Sequence, residues 1–144
     1  MLNINTELRQ AYYALLNGNV LLNSTAVPVY FGQAPMGMQP DTYILIQGIS
    51  STNFNADCNS FTDTNIVIYI VTKRFQNNSG LDAEDIAGQI FSLVYPSPTD
   101  QLVQITNGNV INTKLANDIE ITGLTDGQKQ IINRVITFDH TISH

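Results

Sequence analysis

Hydrophobic and polar positions along the chain change period several times, and each change marks an element. Leu8, Ala11, Tyr12, Leu15 and Leu16 recur at spacings of three and four, which predicts one face of a helix. Asn3 or Asn5 can cap it, Glu7 sits in its first turn, and Gly18 ends it. Leu21 to Thr25 reads as a connector. Val27 to Phe31, VPVYF, reads as a short strand, and Pro28, which lacks a backbone donor, implies an edge position or the first residues of pairing. Gly32 to Pro40 is a loop by its glycines and prolines. From Asp41 to Ser50 the pattern alternates, with Tyr43, Leu45, Gln47 and Ile49 on one side and Ile44 and Ile46 on the other. Gly48 marks a bulge or a close backbone approach. Ser51 to Ser60 is small, polar and rich in Asn, and is predicted to form the tip of a long hairpin or an extended loop.

The most apolar stretch comes next. Asn65 to Thr72 places Ile66, Ile68 and Ile70 on one face and Val67, Tyr69 and Val71 on the other, and a strand apolar on both faces is covered on both. Ser79 and Asp82 resemble a capping box, and Ala83, Ile86, Ala87, Ile90 and Val94 form the stripe of a second helix that Pro96 stops at or near Tyr95. This helix can cover one face of the strand, so the other needs a different partner. Pro96-Ser97-Pro98 makes a stiff connector, Gln101 to Thr106 alternates as a strand, and Asn107-Gly108 suits a tight hairpin turn. Val110 to Thr122 continues as strand, with Ile111, Leu115, Ile119 and Ile121 sharing odd parity. Gly123 to Gly127 is a turn, and Gln128 to Ile142 is a last strand with Ile132, Ile136, Phe138 and Ile142 in one row beside Arg134 and His140. The predicted order is α, β, β, β, α, β, β, β, an α+β domain in which a mainly antiparallel sheet carries two helices.

Length and composition narrow the function. The chain has 144 residues, enough for one domain, 1–144, with an ordinary core. Charged residues make up 12% of it, about half the usual share. That low charge fits a surface largely in contact with neighbours, and it is equally what biased codon usage would produce. The net charge of −6, with only six Lys and Arg, argues against a sequence-independent hold on nucleic acid. Cys58 is the single cysteine, so no intrachain disulfide and no cysteine-based zinc site can form. Neither a signal peptide nor an apolar run of membrane-spanning length is present, which reads as a soluble protein made inside a cell.

Candidate chemistry is sparse. Asp139, His140, Ser143 and His144 contain the letters of a hydrolytic triad, but neighbours in a strand point to opposite faces. His140 and His144 would lie roughly 13 Å apart along a strand, too far to share one metal. Asp82, Glu84 and Asp85 favour the positive end of the second helix, and Lys73-Arg74 reads as a solvated strand end. Cys58 reads as a free loop thiol. The residues recommend no catalytic site, no cofactor and no metal. What they offer is contact: Val27 and Tyr30 on the edge strand, Met36 and Met38 in the loop, and Phe54 near the hairpin tip are the candidate subunit or partner contacts. For the methionines, folding back on the core remains open, as does tucking under its own loop for Phe54.

The succession of segments resembles a known family. A short amphipathic helix ending in ALLNGN is followed by VPVYFGQAP, DTYILIQG, a polar loop, TNIVIYIVTK and the helix DAEDIAGQIFSLV. Over about residues 5 to 95 this is similar to the tail terminator, or tail completion, proteins of long-tailed bacteriophages and related contractile particles. The resemblance implies a structural, non-enzymatic virion protein. It would form a ring, usually a hexamer, that caps the finished tail tube and meets the neck beneath the capsid. Implied partners are further copies of the chain, the tail-tube protein and a neck or head-completion protein, with DNA only passing through the lumen and no membrane. The implied location is the virion tail or neck, after assembly in the host cytoplasm. An acidic chain suits such a conduit, since a negative or neutral lumen lets the polyanion pass without adhering. Another neck or connector ring with a related fold, and a small soluble binding domain, are the alternative readings.

Overall fold

The computed structural model describes residues 4–34, 40–56, 59–75, 80–96 and 103–143. Two helices, α1 (Ile4–Leu16) and α2 (Leu81–Val94), lie against one face of a five-stranded sheet. Its strands are β3 (Val29–Phe31), β4 (Thr42–Ala56), β5 (Asn59–Phe75), β6 (Asn109–Asp126) and β7 (Lys129–Ser143), in the spatial order β3-β4-β5-β7-β6. A small ribbon of β1 (Leu21–Leu22) and β2 (Thr25–Ala26) stands apart from it. The expected α+β class, mainly antiparallel with two helices, is the one observed.

The central strand explains this order. β5 sits third of five, with β4 and β7 antiparallel on either side. Ile66, Ile68 and Ile70 point to the helix side, where Leu8, Tyr12 and Leu16 of α1 and Ile86, Ile90 and Val94 of α2 bury them with Ile44, Ile46, Ile132 and Ile136. Phe138 anchors the cluster, with the rings of Tyr12, Phe91 and Tyr95 each 6.2 Å away. α2 starts after Gly80, whose φ of 80° suits glycine, and Pro96 follows its end. Ser79, expected in a capping box, lies outside the described residues. Asn3, the other expected cap of α1, lies outside the described residues too; Asn5 is inside α1, and its Oδ1 accepts the Thr64 hydroxyl at 2.6 Å, tying the helix to β5.

Several expectations are corrected. β3 is the predicted edge strand, yet it runs parallel to β4, with Pro28 offering its carbonyl to Ile44 N–H at 2.9 Å. The Leu21–Thr25 connector is the β1-β2 ribbon, turned by Asn23 and Ser24 at positive φ and clamped by Gln89, which bonds both backbone groups of Leu21 at 2.7 and 2.8 Å. Residues 103–106 of the predicted Gln101–Thr106 strand are irregular, because Val103 and Ile105 fill the core beside α1 and α2 as the chain crosses to the far edge. Asn107-Gly108 therefore leads into β6 instead of closing a hairpin, and Asn107 is held by the Glu7 carboxylate. The Gly123–Gly127 turn narrows to Gly127-Gln128, since Asp126 already pairs with Lys129. Val27, an expected contact residue, is 3% exposed and belongs to the core, so its side chain is occupied within the subunit.

One polar pair lies inside the apolar layer. His140 of β7 is 2% exposed, and its Nε2 is 2.6 Å from the Tyr12 hydroxyl of α1. Burial raises the Tyr12 pKa, so the phenol keeps its proton and donates it to the neutral ring. Burial also lowers the His140 pKa to about 4, with a smaller opposing pull from the Thr64 backbone. The unfolded chain takes up a proton at His140 near pH 6.5, and the native state does so only near pH 4. Stability from neutral His140 is therefore complete above pH 6.5 and falls by about 3 kcal/mol as pH drops through that window. Urea melts of wild type and His140→Asn at pH 7 and pH 4 check this, and the wild-type advantage shrinks by about that amount. At pH 7, Tyr12→Phe leaves Nε2 buried without its donor, and the same melts should show a loss of about 1–3 kcal/mol.

Candidate functional site

The pleat that sends Ile66, Ile68 and Ile70 under the helices sends Val67, Tyr69 and Val71 to the opposite face. Cross-strand registers extend that face over four strands. Leu45, Tyr69, Val135 and Ile119 form one row, Tyr43, Val71, Asn133 and Ile121 the next, and Lys73, Ile131 and Leu124 a third. Ala34, buried on Tyr43 and Val71, covers one corner, with Tyr30 and Leu45 packed beside it. Among the described residues no helix covers the rest. Ile119, Ile121 and Leu124 remain 47%, 41% and 43% exposed, and Tyr69, Ile131 and Val135 are half-buried.

This arrangement differs from the odd-parity row expected for Ile111, Leu115, Ile119 and Ile121. β6 changes register between Val110 and Asn112, between Leu115 and Asn117, and between Ile121 and Leu124. The second irregularity splits the row: Leu115 pairs with Phe138 and faces the helices, whereas Ile119 pairs with Val135 and faces away. Asp118 and Glu120 then occupy the helix-side positions. Asp118 accepts two hydrogen bonds from Arg134, at 2.9 and 2.7 Å, and these raise the pKa of the guanidinium. An arginine in the Ile132–Ile136 row is thus satisfied by the edge strand.

Polar groups border the apolar rows on both sides. At one end, Lys73 pairs with Asp126 at 3.4 Å and Lys129 with Asp41 at 2.5 Å. At the other, Gln47, Thr137 and Asn117 lead to a shallow polar cleft of about 380 Å³ lined by Asn65, Asp63, Lys114, Asp139 and Thr141 among others. Beyond the cleft, the β4-β5 hairpin ends in a stacked pair, Phe54 on Phe61 at 5.3 Å, with Phe54 40% exposed. The expected hairpin tip is thus a continuation of both strands, and the register shift between Gly48 and Ser51 is the expected bulge.

The structure separates the residues that spelled a triad. Asp139 faces the polar cleft, and His140 is buried on the helix side against Tyr12. Among the described residues no group of three His, Cys, Asp or Glu could hold a metal. Cys58 and His144 lie outside the described residues, as do Met36 and Met38 among the expected contacts. Tyr30 packs edge-on to Tyr43 at 6.1 Å, at the margin of the apolar rows. Arg74 is engaged by Asp82 at 3.5 Å. Ile119, Ile121 and Leu124 were not among the predicted contacts. Their signal was three apolar residues in a strand of mostly polar neighbours, and parity grouped Ile119 and Ile121 with Leu115 because the bulge is silent in the sequence.

No protein-family model and no curated protein matches the chain. Among solved structures, the chain is similar to one from the virion of a native gene transfer agent particle, with a TM-score of 0.75 and 14% identity over 100% of both chains. A second solved chain, at TM-score 0.49 and 12% identity over 95% of this chain and 89% of that one, is too distant to carry an argument. At such identities the first likeness is one of fold, and it runs from end to end.

If the uncovered face is not needed to hold the subunit together, its outermost side chains can be made polar without loss. Ile119→Ser is expected to change unfolding free energy by no more than about 0.5 kcal/mol, read by urea titration, in contrast to Ile68→Ala under the helices, which should cost about 2–5 kcal/mol.

Proposed function

We propose that this protein is a structural component of a phage-like particle, a ring-forming subunit, six to a ring, that caps the tail tube and joins the tail to the neck. The observation that carries this reading is the end-to-end likeness of fold to a chain of a gene transfer agent virion. The sequence resemblance to tail terminators over residues 5 to 95 supports the narrower assignment, and the sheet face that no helix covers among the described residues supplies a surface for assembly.

In this role the chain does its work by position. Copies close a ring, one rim meets the last layer of tail-tube protein and stops its polymerisation, and the other meets a neck or head-completion protein. The net charge of −6 per subunit makes the ring acidic overall, which disfavours adhesion of DNA as it passes. The role is non-enzymatic and takes no cofactor, and the protein resides in the particle after assembly in the host cytoplasm.

Removing the gene from a producing cell and imaging the lysate by negative-stain electron microscopy tests the reading. Full heads and separate tails of uneven length are expected, and the purified protein added back should restore joined particles. Intact particles of normal tail length without the protein would overturn it.

A further inference from the structure

We propose that the apolar half of the sheet face that no helix covers among the described residues, centred on Tyr69, Val135 and Ile119, is the surface on which a second copy of this chain docks. The inference rests on the ring reading above and gives it a contact.

The first support is how β6 is built. From Ala116 to Asp126 it is exposed on both faces, so the subunit's own core does not need its apolar side chains. The register change after Leu115 nevertheless delivers Ile119 and Ile121 to the same side as Val135 and Tyr69, and the change after Ile121 keeps Leu124 there with Ile131. The subunit's core takes none of these three side chains. Instead the helix side of β6 carries Asp118 and Glu120.

Size and anatomy give the second support. Four strands across and about five residues along give a patch of roughly 19 by 16 Å, on the order of 300 Å². A stable contact takes about 800 Å² from each partner, with an apolar centre inside a polar rim. The rows from Leu45 to Ile119 and from Ile131 to Leu124 are such a centre. Gln47, Thr137 and Asn117 on one side and the Lys73–Asp126 and Lys129–Asp41 pairs on the other are the rim.

Charge chooses the occupant. Each chain carries twelve acidic residues against six Lys and Arg, so two copies repel over most orientations. On this patch the four bordering charges cancel in pairs, and the centre carries none. A neutral apolar surface lets one acidic chain meet another. A basic partner would instead be drawn to the acidic turns of α2, where Glu84 and Asp85 are exposed. For a ring, the patch must meet a different surface of the neighbour, so that contacts run head to tail and close.

The experiment is the mass of the purified full chain by light scattering after size exclusion, over a roughly hundredfold range of concentration. Wild type is compared with Ile119→Asp, with the milder Ile121→Ser, and with a control, Leu81→Ser, on an exposed apolar residue of α2 away from the patch. Circular dichroism and urea melts confirm that each variant folds. A wild-type assembly that Leu81→Ser keeps, and that both patch variants weaken at least about tenfold in apparent dissociation constant, is the expected result. A wild type that stays monomeric throughout overturns the proposal, and so does a patch variant that assembles like wild type. The ring reading is judged separately by stoichiometry. A closed ring indifferent to the patch variants would keep the ring and reject this face; a dimer that they abolish would keep the face and reject the ring. Patch variants that assemble normally but no longer enter particles would show that another virion protein occupies the surface, against the proposal.

Discussion

A strand that is apolar on both faces, with both described helices packed on the same one, sets the terms for everything else here. β5 cannot sit at an edge, because both its faces and both its backbone edges demand cover. It therefore lies between β4 and β7, and both helices converge on the side where Ile66, Ile68 and Ile70 project. Between them Val67, Tyr69 and Val71 are committed to the other side. Val67, Val71 and Tyr43 are buried there, the last two against Ala34, while Tyr69 stays half-buried among the described residues.

The far edge completes the division of the sheet. Without its irregularities β6 would place Leu115, Ile119 and Ile121 on one face, and its acidic residues on the other. With them, Leu115 joins Phe138 in the core, Asp118 reaches Arg134, and the isoleucines extend the uncovered face. An arginine in a row of buried isoleucines would be costly alone; a bidentate carboxylate on the neighbouring strand removes the difficulty. The same strand thus satisfies a charge on one face and enlarges an apolar surface on the other.

Much of this was legible in the residues, and the failures have physical causes. Helices were found because their stripes are regular, and β5 and β7 because their alternation is unbroken over many residues. The fold class followed from the order of elements. The parallel pairing of β3 was hidden, since three residues carry no mark of direction. The 103–106 segment misled because Val103 and Ile105 alternate like a strand while serving as plugs in a loop. Bulges in β6 are invisible to a parity argument, which assumes a fixed period of two. Val27 looked like an exposed edge residue and is core, whereas Tyr30 packs edge-on to Tyr43 and Phe54 stacks on Phe61.

The pleat is also what links the buried side of the sheet to the face that no described helix covers. Ile68 and Ile136, locked without exposure beneath α1 and α2, are the sequence neighbours of Tyr69 and Val135 on the other side. Each outward side chain is therefore held by a backbone whose alternate residues are immobilised in the core, and the face behaves as a platform whose geometry the helices set. The Tyr12–His140 bond works in the same direction, fastening α1 to β7 from within. A surface presented in this way would lose little conformational freedom if a partner covered it, which lowers the entropic cost that any such contact must overcome. Changes to outward side chains can alter what binds while leaving the fold intact, and changes beneath them move both together.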